Sequence, residues 1–214
     1  MSSARPLTWY FDPISPFAYL ALPEVERLAR TYDVQCRPIV FGAVLAHWGQ
    51  LGPAEIAPKR THTYQLCQFL ADQAGIPMRF PPRHPFRSLG SLRLLAEPDL
   101  TASANPAAIR IVFDAIWSEG RDPSEPAEHE ALAARLGKPA AASDEAKRRL
   151  RAWTEEAIAA GVFGVPTLAL GSTLFWGLDA MPLAEAALAD PGLLDRGEMA
   201  RLAALPVGVS RKTP

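Results

Sequence analysis

The chain has 214 residues, 49% hydrophobic and 21% charged, with 22 Lys+Arg against 23 Asp+Glu. That length buries a sizeable core as one large domain or two small ones, and the hydrophobic content excludes intrinsic disorder. A formal charge of -1 excludes the basic excess of a dedicated nucleic-acid binder. Only two cysteines occur, Cys36 and Cys67, far apart. They give no metal-type spacing and no disulfide framework, and are expected as free buried thiols of a reducing compartment. No apolar leader follows Met1–Pro6, and no run of about 18 apolar residues exists. A cytoplasmic protein without a membrane span is therefore expected.

Leu7–Phe11 is a short apolar, aromatic run closed by Asp12-Pro13, and predicts a buried strand. Ser15 is a good N-cap and Pro16 suits the first helical position. The apolar spacing that follows predicts a helix through about Ala29, with Pro23 marking a kink. Val34–Phe41 predicts a second strand, at an edge because of Pro38. This opening β-α-β unit implies parallel pairing with a right-handed crossover.

From Gly42 to about Ala142 the pattern turns helical, with proline-rich joints. Helices are expected over Lys59–Ala74 and Phe86–Ala96, joined through an extended linker at Phe80–Pro85. Another helix is expected to open at Asn105-Pro106 with the stripe Ile109, Val112, Phe113, Ile116 and Trp117. A further one spans Pro126–Leu136 and is closed by Gly137. Ser143, with Asp144 and Glu145 in the first turn, begins a long helix to about Ala160, stopped by Gly161. Thr167–Leu170 and Thr173–Trp176 flank Gly171-Ser172 as a hairpin. Pro182–Ala189 closes as a helix, and the tail beyond Leu205 frays. The 21 prolines largely punctuate these helices.

Without the helical block the order is β-α-β-α-β-β-α, that of thioredoxin. The fold class is therefore α/β, a thioredoxin-like fold with an all-α helical insertion domain. The thioredoxin-like part is expected at residues 1–42 and 143–205, the insertion at 43–142 and a tail at 206–214.

Three local features can carry chemistry. Ser15 opens a helix, where unpaired N–H groups stabilise an anion. On pattern alone it is also an ordinary cap. Gly164-Val165-Pro166 precedes a strand. A cis bond there would expose the Val165 backbone to an extended peptide, whereas a trans proline would be a plain loop. Gly177 and Asp179 end the hairpin, with Asp179 either flanking the next helix or accepting a ligand's ammonium group. The four histidines (His47, His62, His84, His129) are read as surface or capping groups. No metal site is expected.

The segments FDPISPFAYLALP (Phe11–Pro23), LGPAEIAPKR (Leu51–Arg60), GIPMRFPP (Gly75–Pro82), HPFRSLGSLRLL (His84–Leu95), GVFGVPTL (Gly161–Leu168) and FWGLDAMP (Phe175–Pro182) occur in this order. Together the chain resembles the 2-hydroxychromene-2-carboxylate isomerases, relatives of kappa-class glutathione transferases and disulfide-bond oxidoreductases. The resemblance implies a glutathione cofactor whose sulfur is held at Ser15. It places the cysteinyl backbone against Val165, before Pro166, and the γ-glutamyl end at Gly177, Leu178 and Asp179. It puts His47, Trp48 and Lys59 toward a small aromatic acid substrate. Arg87, also placed with the substrate, stands where the family carries Asn, adding a permanent charge and removing an acceptor; it either pairs with a carboxylate on a different acid or points to solvent. The implied activity interconverts 2-hydroxychromene-2-carboxylate and trans-o-hydroxybenzylidenepyruvate without redox, in a homodimer. A kappa-like transferase and a non-catalytic thioredoxin-like binding protein are the alternatives. A thiol–disulfide oxidoreductase is disfavoured, because neither cysteine sits in the Ser15 turn.

Overall fold

Residues 7–100 and 106–209 are described by the computed structural model. Leu7–Phe11 forms β1, one of the two inner strands of a four-stranded sheet ordered β2-β1-β3-β4. Its partner β2 (Val34–Pro38) runs parallel, Leu7 facing Val34 and Phe11 facing Pro38. Across β1's other edge lies β3 (Thr167–Leu170), antiparallel, which continues through a hairpin into β4 (Thr173–Trp176). Pro38 sits on an edge strand, where its missing N–H breaks no inner ladder.

Alternation along β1 divides the core. Trp9 and Phe11 stack at 4.3 Å on one face, and Phe113 closes on Phe11 at 5.7 Å. Tyr10 points to the opposite face and packs with Ile39, Val44, Ala157, Val162, Val165 and Ala169. Its hydroxyl donates to Glu156 at 2.9 Å, and Glu156 also pairs with Arg37.

Helix α1 (Pro16–Leu28) starts at Ser15 and carries Pro23 inside it. The expected strand through Phe41 is corrected: it stops at Pro38, and α2 (Phe41–Trp48) begins where strand was predicted. Val40 offers α2 no side-chain cap. The Phe41 N–H instead donates to the Asp12 carboxylate at 3.0 Å, so a residue 29 positions away starts the helix.

The insertion continues with α3 (Ala57–Ala74), stopped by left-handed Gly75. Next is α4 (Leu89–Leu95), which starts three residues later than expected. Phe86 and Ser88, assigned to its first turn by the sequence, are buried below the helix start. Helix α5 (Pro106–Phe113) passes into a π turn at Asp114–Ser118, and all five residues of its apolar stripe are buried. The predicted opener Asn105 lies outside the described residues. Helix α6 (Pro126–Arg135) precedes α7 (Asp144–Ala159), whose Ser143 cap accepts from the Ala146 N–H at 3.0 Å.

The chain divides into two compact units, one ending at Met181 and the other beginning at Pro182. Helix α8 spans Met181–Ala189. The second unit also holds α9 (Gly197–Ala203), which the sequence reading missed, with an Arg201–Glu198 pair along it. No helix of the described residues is long and apolar enough to cross a membrane.

Candidate functional site

Between β1 and α1 the chain turns within four residues, Asp12, Pro13, Ile14 and Ser15. A turn that tight leaves backbone groups that must find partners, and side chains supply them. The Asp12 carboxylate, 1% exposed, accepts from the Ile14 N–H at 3.0 Å as well as from Phe41, and the Ser88 hydroxyl also bonds to it. Burial pushes its pKa up to about 6 in spite of those bonds. The Trp117 Nε1–H donates to the Pro13 carbonyl at 2.8 Å. His84 Nε2 lies 2.8 Å from the Ile14 carbonyl. A carbonyl only accepts, so Nε2 carries the proton. In a neutral ring Nδ1 is an acceptor; it lies 2.6 Å from the Tyr64 hydroxyl, which also meets the His84 carbonyl at 2.9 Å. Burial lowers the His84 pKa, which favours that neutral form.

Held this way, Ser15 caps α1. Its Oγ accepts from the Ala18 N–H at 3.3 Å and lies 3.4 Å from the Val165 carbonyl, to which it donates. No hydrogen bond of the described residues occupies the Phe17 N–H, so this donor and the helix dipole converge beside Ser15. Val165-Pro166 is a cis bond, as is His84-Pro85.

The second and third sequence features join the first. The Gly177 N–H donates to the Pro166 carbonyl at 2.9 Å. Leu178 packs in one cluster with Phe17 and Leu20. Gly177 has φ +93°, and a Cβ there would meet Asp179 Oδ1 at 2.5 Å, so the close carboxylate needs a glycine. Gly164 lies under the Trp176 ring: a Cβ there would collide with its Nε1.

The remaining candidates separate. Trp48, at the end of α2, donates its Nε1–H to the Val162 carbonyl at 2.9 Å, and His47 stands edge-on to its ring. Both therefore border the segment leading to Val165. Lys59 is exposed in the first turn of α3, and among the described residues no hydrogen bond or ion pair joins it to the Ser15 loop. Arg87 is exposed and lines a cleft of about 410 Å³ with Arg83, Phe86, Asp122 and Glu125. Arg83 is paired with both carboxylates there.

Sequence reasoning missed Asp12, Tyr64, His84 and Trp117 as site residues. His84 is neither a surface nor a capping group. The available signal was that Asp12 and His84 each precede a proline within a resemblance motif. Cys36 and Cys67 are free and buried, and burial pushes both thiols up to about 12. No group of three or more His, Cys, Asp or Glu among the described residues is placed to hold a metal.

Residues 7–189 match the model of the DSBA-like thioredoxin domain. The 2-hydroxychromene-2-carboxylate isomerase of Pseudomonas putida is 32% identical over 192 residues, 84% of this chain and 92% of that protein. Glutathione S-transferase kappa 2 of Caenorhabditis elegans is 25% identical over 213 residues, 89% of this chain and 95% of that one. A solved structure of a 2-hydroxychromene-2-carboxylate isomerase superposes with a TM-score of 0.73 at 29% identity, covering 93% of this chain and 98% of that chain. Model, relatives and fold agree: the chain belongs to the 2-hydroxychromene-2-carboxylate isomerase family, built on a DSBA-like thioredoxin domain.

Proposed function

We propose that the protein is a glutathione-dependent isomerase of small aromatic acids, interconverting 2-hydroxychromene-2-carboxylate and trans-o-hydroxybenzylidenepyruvate. The observation that carries this reading is the convergence of Ser15, Val165 and Gly177 through two hydrogen bonds, Ser15 Oγ to Val165 and Gly177 N–H to Pro166. The donor set suits a thiolate: one hydroxyl, the Phe17 N–H and a helix N-terminus, with no cysteine in the turn. Such a charge-assisted hydrogen bond favours the ionised sulfur by about 1.5–3 kcal/mol, or one to two pKa units.

The chain's residues then have distinct tasks. Ser15 leaves Val165 as its acceptor and donates to the sulfur. Val165 offers its backbone to the cysteinyl unit, next to Pro166, and Gly177, Leu178 and Asp179 receive the γ-glutamyl end. His47 and Trp48 border the aromatic substrate, while the exposed Lys59 and Arg87 attract its carboxylate from outside the Ser15 loop. Bound glutathione would supply a thiolate that adds to the conjugated system, permits ring opening and bond rotation, and leaves by elimination, so no electrons are transferred. The reading carries with it a cytoplasmic homodimer and no nucleic-acid partner.

The kappa-class relative favours a second reading, conjugation of electrophiles. One assay separates the two. The chromene acid is followed by ultraviolet absorbance with and without glutathione, and free thiol is titrated at the end. Turnover that needs glutathione and consumes none supports the isomerase, while stoichiometric thiol loss supports the transferase. No turnover and no calorimetric binding of glutathione defeats both.

A further inference from the structure

The two peptide units before Ser15 are each fixed at both ends. In the Pro13–Ile14 unit, Trp117 holds the carbonyl and Asp12 holds the N–H. In the Ile14–Ser15 unit, His84 holds the carbonyl, and the Ser15 N–H donates to the Asp12 carbonyl at 2.9 Å. That second plane ends at the Ser15 Cα, so its tilt sets where the hydroxyl points. His84 comes from 70 residues away and stands in an aromatic nest. Tyr64, Phe86 and Trp117 lie 5.2, 5.7 and 5.5 Å from its ring, and Phe80 lies at 6.4 Å.

We infer that His84 is a positioning residue for Ser15: its Nε2–H fixes the Ile14 carbonyl, and the Tyr64 hydroxyl steadies the ring from behind, meeting both Nδ1 and the His84 carbonyl. Both ring nitrogens are occupied by the chain itself, so neither is free to exchange protons with a substrate. An apolar nest would not reward a histidine for packing alone, since phenylalanine fills the same space without a desolvation cost. The imidazole earns its place by the donor it aims at the loop. The link to catalysis rests on the reading above, in which Ser15 holds a sulfur.

The test compares His84→Phe, which keeps a ring but loses the donor, with His84→Gln, whose amide restores one. Amide hydrogen exchange at Ser15 needs no glutathione. It should quicken about tenfold in His84→Phe, the scale of one lost hydrogen bond, and return toward wild type in His84→Gln. Where the wild type binds glutathione, ultraviolet titration of the bound thiol should show a higher pKa in His84→Phe. Turnover should then fall about 10- to 100-fold, as for a displacement of about 1 Å, with little change in glutathione Kd. A folded His84→Phe protein with wild-type exchange at Ser15 overturns the inference. Should that variant not fold, Tyr64→Phe decides by the same exchange measurement. Failure of the wild type to bind glutathione strikes only the functional reading, because the exchange result stands without it.

Discussion

Two loops meet at the site, and they are held in opposite ways. The Asp12–Ser15 loop is gripped by buried side chains from distant parts of the chain, Ser88, His84 and Trp117. The Val162–Pro166 segment is held largely by its own hairpin. The Thr167 hydroxyl donates to the Gly164 carbonyl at 2.8 Å, the Trp176 ring covers Gly164, and Phe163 meets that ring at 5.2 Å. Trp48 adds one hydrogen bond from afar, and it and Trp176 are 45% and 52% exposed. The contrast teaches that the two halves of this site have different obligations. On the proposed reading one places a hydroxyl, whereas the other sets the Val165 backbone beside it in a segment that is itself buried except at Phe163.

The sharpest way to break that contrast is at the hydroxyl. Ser15→Ala should lower turnover about 10- to 100-fold, the worth of one charge-assisted hydrogen bond. Loss of the cap should cost only about 1 kcal/mol of stability, so steady-state kinetics and thermal melting together separate the two roles. Wild-type turnover in a folded variant would remove Ser15 from the chemistry.

The buried grip is next. The folded chain holds the Asp12 carboxyl at about 6 against an ordinary 3.8. As pH rises, the unfolded chain gives up this proton first. Asp12's contribution to stability therefore falls between about pH 4 and pH 6, then stays lower by about 3 kcal/mol. Asp12→Asn should remove that slope from the difference between the two stability curves, at the expense of one side-chain oxygen that accepts from a backbone N–H. Denaturant melts across the window measure it, and identical slopes would show that the carboxyl is not perturbed.

On the hairpin side, Gly177→Ala forces a side chain to φ +93° and against Asp179. About 1–3 kcal/mol of stability should be lost, with weaker glutathione binding by calorimetry and an unaltered Ser15 environment. The smallest effect is expected at the cysteines. With both thiols buried and pushed up to about 12, alkylation near neutral pH should leave turnover unchanged. Inactivation by a single modified cysteine, located by mass spectrometry, would contradict this.

What could be read in advance follows the same division. Ser15, Ser143, Gly75 and Gly137 mark helix ends through contacts with their own neighbours, so a sequence window holds their cause. Phe41 does not. Val34–Phe41 has strand chemistry throughout, and the helix starts at Phe41 because Asp12 caps it across 29 positions. His84 was misjudged for the same reason. A histidine after an extended proline-rich stretch has the signature of a surface group until the partners of both its nitrogens are known. Ser15, Val165 and Gly177 were singled out by local pattern and by the resemblance, and the fold brings them together. Lys59 was assigned by the resemblance and Arg87 as the departure from it; Lys59 is exposed on α3, and Arg87 lines a cleft with Arg83, Asp122 and Glu125.

The π turn at Asp114–Ser118 gives the site a mechanical dependence of a different kind. A helix of 3.6 residues per turn changes direction by about 100° at each residue, and a π turn takes up one extra residue without unwinding the rest. Trp117 lies inside that turn, and its Nε1–H reaches the Pro13 carbonyl. The angular phase of one helix is thereby coupled to the loop that carries Ser15. Removing one residue from this stretch would restore ordinary winding and rotate the indole away. In this chain the length of that stretch, counted in single residues, supports the Ser15 loop as directly as the side chains that bond to it.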